Sequence, residues 1–254
     1  MKTVALIPAR FNATRFPGKL MKELEGKTVI RRTYEAVKRT GLFDDVIAVC
    51  DGDPIYTEIV RHGGKAVKSK RPHESGTDRI AEAAADLDAD IVVNVQGDYP
   101  TIHRAPLSEL LAAFAGKGGK RIQVASLMRK LTDWRLIRNP NYVKVAVDKD
   151  FNALFFSRSP IPYPRSKNAR AVYYEHVGVY AFRRQTLLDF TALPVSPLED
   201  AEKIECLRFL ENGIPLRMVV TRYQGVEIDV PQDLKMATRS LRASSRVRKQ
   251  NAKE

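Results

Sequence analysis

Cysteine is scarce in this chain: Cys50 and Cys206 are the only two among 254 residues. They lie far apart and lack metal-ligand spacing, which excludes a disulfide framework and leaves core or site-lining thiols. Long apolar runs are missing as well, and nothing approaches the roughly 18 residues that span a bilayer. Met1-Lys2-Thr3 leads at once into a core strand, so no signal peptide and a cytoplasmic location are expected. Neither a Walker loop nor a G-x-G-x-x-G dinucleotide fingerprint is present. No histidine has a nucleophile partner nearby in sequence, which weakens a hydrolase triad. Helix-turn-helix, zinc-finger and basic-aromatic patterns are absent too, so the net charge of +13 is not read as nucleic-acid binding. Part of that charge sits after Thr238, where apolar periodicity stops near Leu241; residues 242–254 are expected to be a disordered basic tail.

What is present is an alternation of strand and helix signals. Strands are expected at Thr3–Ile7, Asp45–Val49, Ala66–Val67, Ile91–Val95 and Ile122–Leu127, and helices at Val29–Lys38, Pro54–Arg61, Gly76–Leu87 and Pro106–Phe114. This order indicates βαβ units and an α/β fold with a mainly parallel, Rossmann-like sheet. Gly116-Lys117-Gly118-Gly119 reads as a flexible connection. Later come strands at Val143–Val147, Ala153–Phe156 and Tyr173–Phe182, the last with Gly178 permitting a bulge. Ser196-Pro197-Leu198-Glu199 is a capping box opening a helix to about Leu210. Arg217–Val220 and Val226–Ile228 read as strands and Pro231–Arg242 as the final helix. A single domain over 1–241 follows, with a first part to about 128, a second part over about 129–220 and a return to the core over about 221–241.

The densest chemistry lies in Ile7-Pro8-Ala9-Arg10 and Arg15-Phe16-Pro17-Gly18-Lys19, a loop with three cations at the end of the first strand. Glycine allows close backbone approach and Arg10, Arg15 and Lys19 supply fixed positive charge, which suits a polyphosphate. Gln96-Gly97-Asp98 follows the Ile91–Val95 strand, on the strand edge where open α/β sheets bind ligands. Asp98 there could hold a divalent cation such as Mg2+ against phosphate oxygens, or could cap the next helix. Asp229 offers a second carboxylate or an N-cap, with Asp51 and Asp53 as alternatives on the same edge. Ser75-Gly76-Thr77-Asp78-Arg79 opens a helix whose N-terminus suits base or phosphate contacts, or is simply capped by Ser75. Arg158, and His176 beside Glu175, could recognise an acidic, hydroxyl-rich acceptor.

These segments, with Asn94-Val95-Gln96-Gly97-Asp98, Asn141-Tyr142-Val143-Lys144-Val145, Phe156-Ser157-Arg158, His176-Val177-Gly178-Val179-Tyr180 and Glu227-Ile228-Asp229, resemble the 3-deoxy-manno-octulosonate (Kdo) cytidylyltransferase family, also called CMP-Kdo synthetases. The resemblance runs collinearly from about residue 3 to 240 and implies a nucleotidyltransferase fold with a smaller sugar-binding and dimerisation region. It implies transfer of CMP from CTP to Kdo for lipopolysaccharide assembly, with release of pyrophosphate. By position, Arg10, Arg15 and Lys19 would bind the CTP phosphates, and Ser75, Gly76 and Arg79 the rest of the nucleotide. Asp98 and Asp229 would hold Mg2+, with Arg10, Lys19 and Asp98 nearest the chemistry. Gln96, Arg158, His176, Tyr180 and Glu205 would line the sugar site. A homodimer is implied; nucleic acid and membrane insertion are not.

The chain departs from the family pattern in places. Tyr99 stands where Glu usually follows Gln-Gly-Asp, Cys50 replaces a Thr-like residue, and Cys206 a glutamine. Asp229-Val230-Pro231-Gln232 replaces Asp-Thr-Pro-Glu. The phosphate and metal positions survive, so the expectation is retained CTP chemistry, with Kdo or a related acid, such as 8-amino-Kdo or a nonulosonic acid, as acceptor. A non-enzymatic basic binding module is the alternative of another class, and it has no need for both the cations and the carboxylates.

Overall fold

The structure is a computed structural model that describes residues 1–11, 16–73, 75–166 and 170–251, with side chains of the last helix described to residue 243. It divides into two compact units, Met1–Arg104 with Gln224–Glu254, and Ala105–Tyr223. The division falls before the expected boundary near residue 128, because the strand there pairs within the second unit.

In the first unit, β1 (Thr3–Ala9) is buried along its whole length. β2 (Glu23–Leu24) and β3 (Lys27–Thr28) form a small hairpin that leads into α1 (Val29–Lys38). β4 (Asp45–Cys50), α2 (Asp53–Arg61), β5 (Lys65–Lys68), α3 (Gly76–Ala85) and β6 (Ile91–Val95) complete the alternation. β1 lies between β4 and β6, with β5 outside β4, all parallel. Parallel strands covered by helices read as continuous apolar runs, which is why Val4–Ile7 and Ile91–Val93 carry no polar residue. α1 turns Val29, Ile30, Thr33, Tyr34, Ala36 and Val37 inward, and Thr28 caps it by accepting from the Arg31 N–H. The Tyr34 hydroxyl donates to the Val46 carbonyl at 3.0 Å and accepts from the Lys65 N–H at 2.7 Å, tying helix to sheet.

Val226–Ile228 does not form the expected strand. Its backbone bonds to loop groups instead: the Val226 N–H to Thr101 Oγ1 at 3.2 Å and the Ile228 N–H to the Asp98 carbonyl at 3.0 Å. The final helix runs from Pro231 to Asn251, beyond the expected end near Arg242. Residues 240–251 contain neither Gly nor Pro and are rich in good helix formers, so propensity continues the helix without an apolar face. Residues 252–254 lie outside the described residues.

In the second unit, α4 (Arg104–Ala112) and the short α5 (Gly116–Gly119) precede β7 (Val124–Leu131). The glycine segment expected to be a flexible connection is thus a helical turn. Its Gly119 packs so closely on the Phe114 backbone that an added Cβ would lie 2.2 Å from it. After α6 (Trp134–Arg138) come β8 (Lys144–Val147), β9 (Ala153–Ser157) and β10 (Tyr173–Arg183). α7 (Arg184–Ala192), α8 (Pro197–Glu202), α9 (Leu207–Glu211) and β11 (Leu216–Val220) follow. β7 pairs antiparallel with β10 and parallel with β11, while β8 pairs antiparallel with β9 and β10. The β7–β10 register shifts between Val177 and Tyr180, where Gly178 lies.

Ser196 and Glu199 form the expected capping box, but the helix stops at Glu202 rather than near Leu210. Lys203 takes a left-handed φ of 52°, and Arg158 caps the open end by donating to the Glu202 carbonyl at 2.7 Å and the Lys203 carbonyl at 3.2 Å.

Candidate active site

The first unit holds a cavity of about 330 Å3 lined by Arg10, Lys19, Ser75, Gly76, Arg79, Gln96, Asp98, Glu227 and Asp229. Arg10 is exposed at the end of β1. The loop after it closes where the Gly18 N–H meets the Phe11 carbonyl at 3.1 Å, and Gly18 takes a φ of 66° that favours glycine. A 3-10 turn, Lys19–Met21, then starts and fixes Lys19. Arg15 lies outside the described residues.

Lys19 reaches from this turn to both acids named from the sequence. Its ammonium donates to Asp98 Oδ2 at 2.5 Å and to Asp229 Oδ1 at 3.0 Å. Burial alone would lower the Lys19 pKa, but Asp98 and then Asp229 outweigh it and the net direction is upward. The Asp98 carboxyl is pushed up by burial first, pulled back by Lys19 and raised again by Asp229. Asp98 is 8% exposed, and its Oδ1 is buried without a hydrogen-bond partner among the described residues. Gly97 leaves room for this packing, since a Cβ there would come within 3.1 Å of the Pro8 carbonyl oxygen.

Asp233 accepts from the Asp229 and Val230 N–H groups at 2.8 Å each, so the start of the last helix is capped by Asp233 and the Asp229 side chain turns to Lys19. Asp51 instead accepts from the Phe11 N–H at 2.9 Å, and the exposed Asp53 pairs with Lys68. Neither joins the cluster.

Sequence reading passed over Glu227, although Glu-x-Asp in an extended segment places both acids on one side. Oxygens of Asp98, Glu227 and Asp229 lie within 4.8 Å of one another. The Tyr99 hydroxyl donates to Glu227 Oε2 at 3.1 Å. Burial, then Asp98 and Asp229, pushes the Glu227 carboxyl up to about 8, although the residue still reaches solvent. His73 was also missed; it lines the cavity and its Nε2 sits 3.0 Å from Glu82 Oε2.

Ser75 caps α3, its hydroxyl accepting from the Asp78 N–H at 3.0 Å and donating to Asp78 Oδ2 at 2.9 Å. The helix nevertheless opens on the cavity through Gly76. Arg79 is 4% exposed, donates to Ser69 Oγ at 3.0 Å, and has its pKa lowered by burial. Gln96, grouped with the sugar residues in the sequence reading, lines this first-unit cavity too.

The remaining sugar-side residues belong to the second unit. His176 Nε2 lies 2.9 Å from Ser126 Oγ, and burial lowers its pKa to about 4. Its ring meets Phe156 edge-on at 5.2 Å and Tyr180 at 5.3 Å. The Tyr180 hydroxyl bonds the Cys206 thiol, whose pKa is raised by burial. Glu205 immediately precedes that cysteine. Arg158 is engaged with the protein itself: besides its bonds to Glu202 and Lys203, Nη1 donates to the Pro140 carbonyl at 2.9 Å. Cys50 is a core thiol pushed up to about 12 by burial and then by Asp51.

The sequence matches a family model described as cytidylyltransferase over residues 4–222. It is 56% identical over 242 residues to the 3-deoxy-manno-octulosonate cytidylyltransferase of Flavobacterium johnsoniae, covering 95% of this chain and 99% of that protein. The chain belongs to the 3-deoxy-manno-octulosonate cytidylyltransferase family. The protein of that description from Christiangramia forsetii is 53% identical, with 94% and 97% of the two chains covered. A solved structure of CMP:2-keto-3-deoxy-manno-octonic acid synthetase complexed with CTP superposes with a TM-score of 0.90 at 36% identity, covering 96% of this chain and 100% of that one. The shared architecture is the α/β nucleotidyltransferase fold with mixed, mostly parallel strands. The 4-diphosphocytidyl-2C-methyl-D-erythritol synthase of Anaerococcus prevotii, 17% identical with a TM-score of 0.61, shares the fold alone. Among the described residues of this cytidylyltransferase, no helix is long and apolar enough to cross a membrane.

Proposed function

We propose that this chain transfers CMP from CTP to the anomeric hydroxyl of Kdo, releasing pyrophosphate. The observation that carries the reading is the Lys19 ammonium bridging Asp98 and Asp229 in a cavity that Arg10 also lines. Such a site holds anionic phosphates by its cations and a hard cation by its acids. Asp98 and Asp229 suit Mg2+: both offer oxygens, one of them buried without a partner among the described residues, and Lys19 already marks the spot as favouring positive charge. When bound, Mg2+ supplies charge neutralisation at the phosphates during phosphoryl transfer.

The chain's own residues do the rest by positioning. Arg10 and Lys19 hold the triphosphate, with Arg15 assigned the same role. The Lys19 ammonium, held by Asp98 at 2.5 Å and Asp229 at 3.0 Å, keeps its positive charge at the cavity wall, where it would face the phosphates. Ser75, Gly76 and Arg79 seat the nucleoside against the start of α3. Gln96, Tyr180, His176, Glu205 and Arg158 are assigned to the acceptor, Arg158 by holding the end of α8 in place. The anomeric hydroxyl then attacks the α-phosphorus in line with departing pyrophosphate. A cytoplasmic homodimer is expected on the resemblance alone.

Incubation with CTP, Mg2+ and Kdo, 8-amino-Kdo and a nonulosonic acid, with pyrophosphate release as readout, tests the reading. Kdo should be turned over fastest. Preference for the amino sugar would transfer the assignment to that acid, and no turnover with any acid by folded protein would sink it.

A further inference from the structure

Glu227 has no part in the assignments above, yet this exposed residue turns its carboxylate toward Asp98 and Asp229. Its carboxylate shares a space less than 4.8 Å across with those of Asp98 and Asp229. Like charges that close repel, and among the described residues no lysine or arginine forms an ion pair with Glu227. The backbone fixes the arrangement. Thr101 Oγ1 and the Asp98 carbonyl hold the N–H groups of Val226 and Ile228, and Ile228 is fully buried. In an extended segment that pins Glu227 and Asp229 to the side opposite Ile228. The Tyr99 hydroxyl holds Glu227 Oε2 at 3.1 Å. Lys19 answers one oxygen each of Asp98 and Asp229, at 2.5 and 3.0 Å, while the buried Asp98 Oδ1 has no hydrogen-bond partner among the described residues, so the three acids outnumber the one ammonium beside them.

We propose that Glu227 is a third carboxylate ligand of the divalent cation, and that Tyr99 is the positioning residue that holds it there. This rests on the cation reading of Asp98 and Asp229. An all-oxygen, all-carboxylate set suits a hard ion such as Mg2+ or Mn2+ and not a soft one. Tyr99 acts through its phenol, which removes one lone pair of Glu227 from competition and fixes the rotamer of a long, flexible acid.

The test is Mn2+ binding in the presence of saturating CTP, followed by the loss of the free-ion electron paramagnetic resonance signal and by calorimetry. Glu227→Gln keeps shape and removes charge, and should raise the Kd for Mn2+ about tenfold. Tyr99→Phe should raise it by a smaller factor, about threefold, and should add nothing further in the Glu227→Gln background, because the phenol acts through that carboxylate. Glu227→Asp should recover part of the affinity. Thermal melts establish that each variant is folded; a Glu227→Gln protein that does not fold passes the decision to Glu227→Asp and Tyr99→Phe. Wild-type protein that binds Mn2+ while the variants bind it equally well overturns the role of Glu227 and leaves the Asp98–Asp229 reading standing. Wild-type protein that binds no Mn2+ overturns both.

Discussion

Two groups of acids, one in each unit and each with a buried member, are answered by their neighbours in opposite ways. In the second unit, Glu199 receives a two-pronged bond from Arg208 at 2.6 and 2.7 Å, and the guanidinium lies over the Phe190 ring at 4.6 Å. Glu202 is equally well matched, by the Ser157 hydroxyl at 2.7 Å and the Arg158 N–H at 2.9 Å. Both of these acids are answered by fixed partners. In the first unit, Asp98, Glu227 and Asp229 crowd together, Lys19 is shared between two of them, and Asp98 Oδ1 has no partner among the described residues. A matched buried acid holds a fold together, whereas an under-matched one is a place prepared for a ligand.

The contrast breaks most visibly at Asp98. Asp98→Ala should reduce turnover by on the order of 10³-fold, since it removes a charge that acts at the reacting phosphates. It should change the melting temperature little. Burial, against the pull of Lys19 and with the push of Asp229, holds the folded Asp98 carboxyl above its ordinary range, so what it contributes to the fold declines as pH rises through that range. Lys19, whose pKa the two acids hold up, loses one partner to alanine and keeps Asp229 at 3.0 Å. Near-normal turnover, or a large drop in melting temperature, would erase the distinction between the two groups.

Arg208 should give the mirror image. Arg208→Ala strands Glu199 in a site where the pair's side chains are only 6% and 11% exposed, and should cost about 3–5 kcal/mol of stability by denaturant melts. Protein that remains folded should turn over at a normal rate. Replacing both partners together, Arg208→Met with Glu199→Leu, should recover most of the loss, because the penalty belongs to the uncompensated charge.

How far such distinctions were legible in the sequence differs between units for a physical reason. The first-unit strands announce themselves as apolar runs, and α1 and β6 start and stop where their patterns do. Arg10, Lys19, Asp98 and Asp229 follow from position at strand ends, which topology converts into proximity. Glu227 stayed hidden because Val226–Ile228 looked like another strand, while its backbone partners are a threonine hydroxyl and a loop carbonyl that no periodicity reveals. Arg158 was legible as a cation but not as a cap. Its use depends on α8 stopping at Glu202, which leaves the Glu202 and Lys203 carbonyls open to a guanidinium more than forty residues away in sequence. Local pattern carries no trace of such a contact.

The smallest expected effect lies at the C-terminal end of the chain, a strongly basic stretch of the sequence. Ala237 is buried, but beyond Leu241 the contact described is Arg242 with Glu25 at 2.9 Å, its side chains 66% and 33% exposed. Solvent-exposed pairs contribute about 0–1 kcal/mol, so removing residues 242–254 should lower the melting temperature by at most about 4 °C. Turnover with CTP and Mg2+ should stay within about twofold, since among the described residues none past Asp229 lines the cavity. A large loss of kcat on truncation would show that the basic end of the chain serves catalysis as well as the acid cluster of the first unit does.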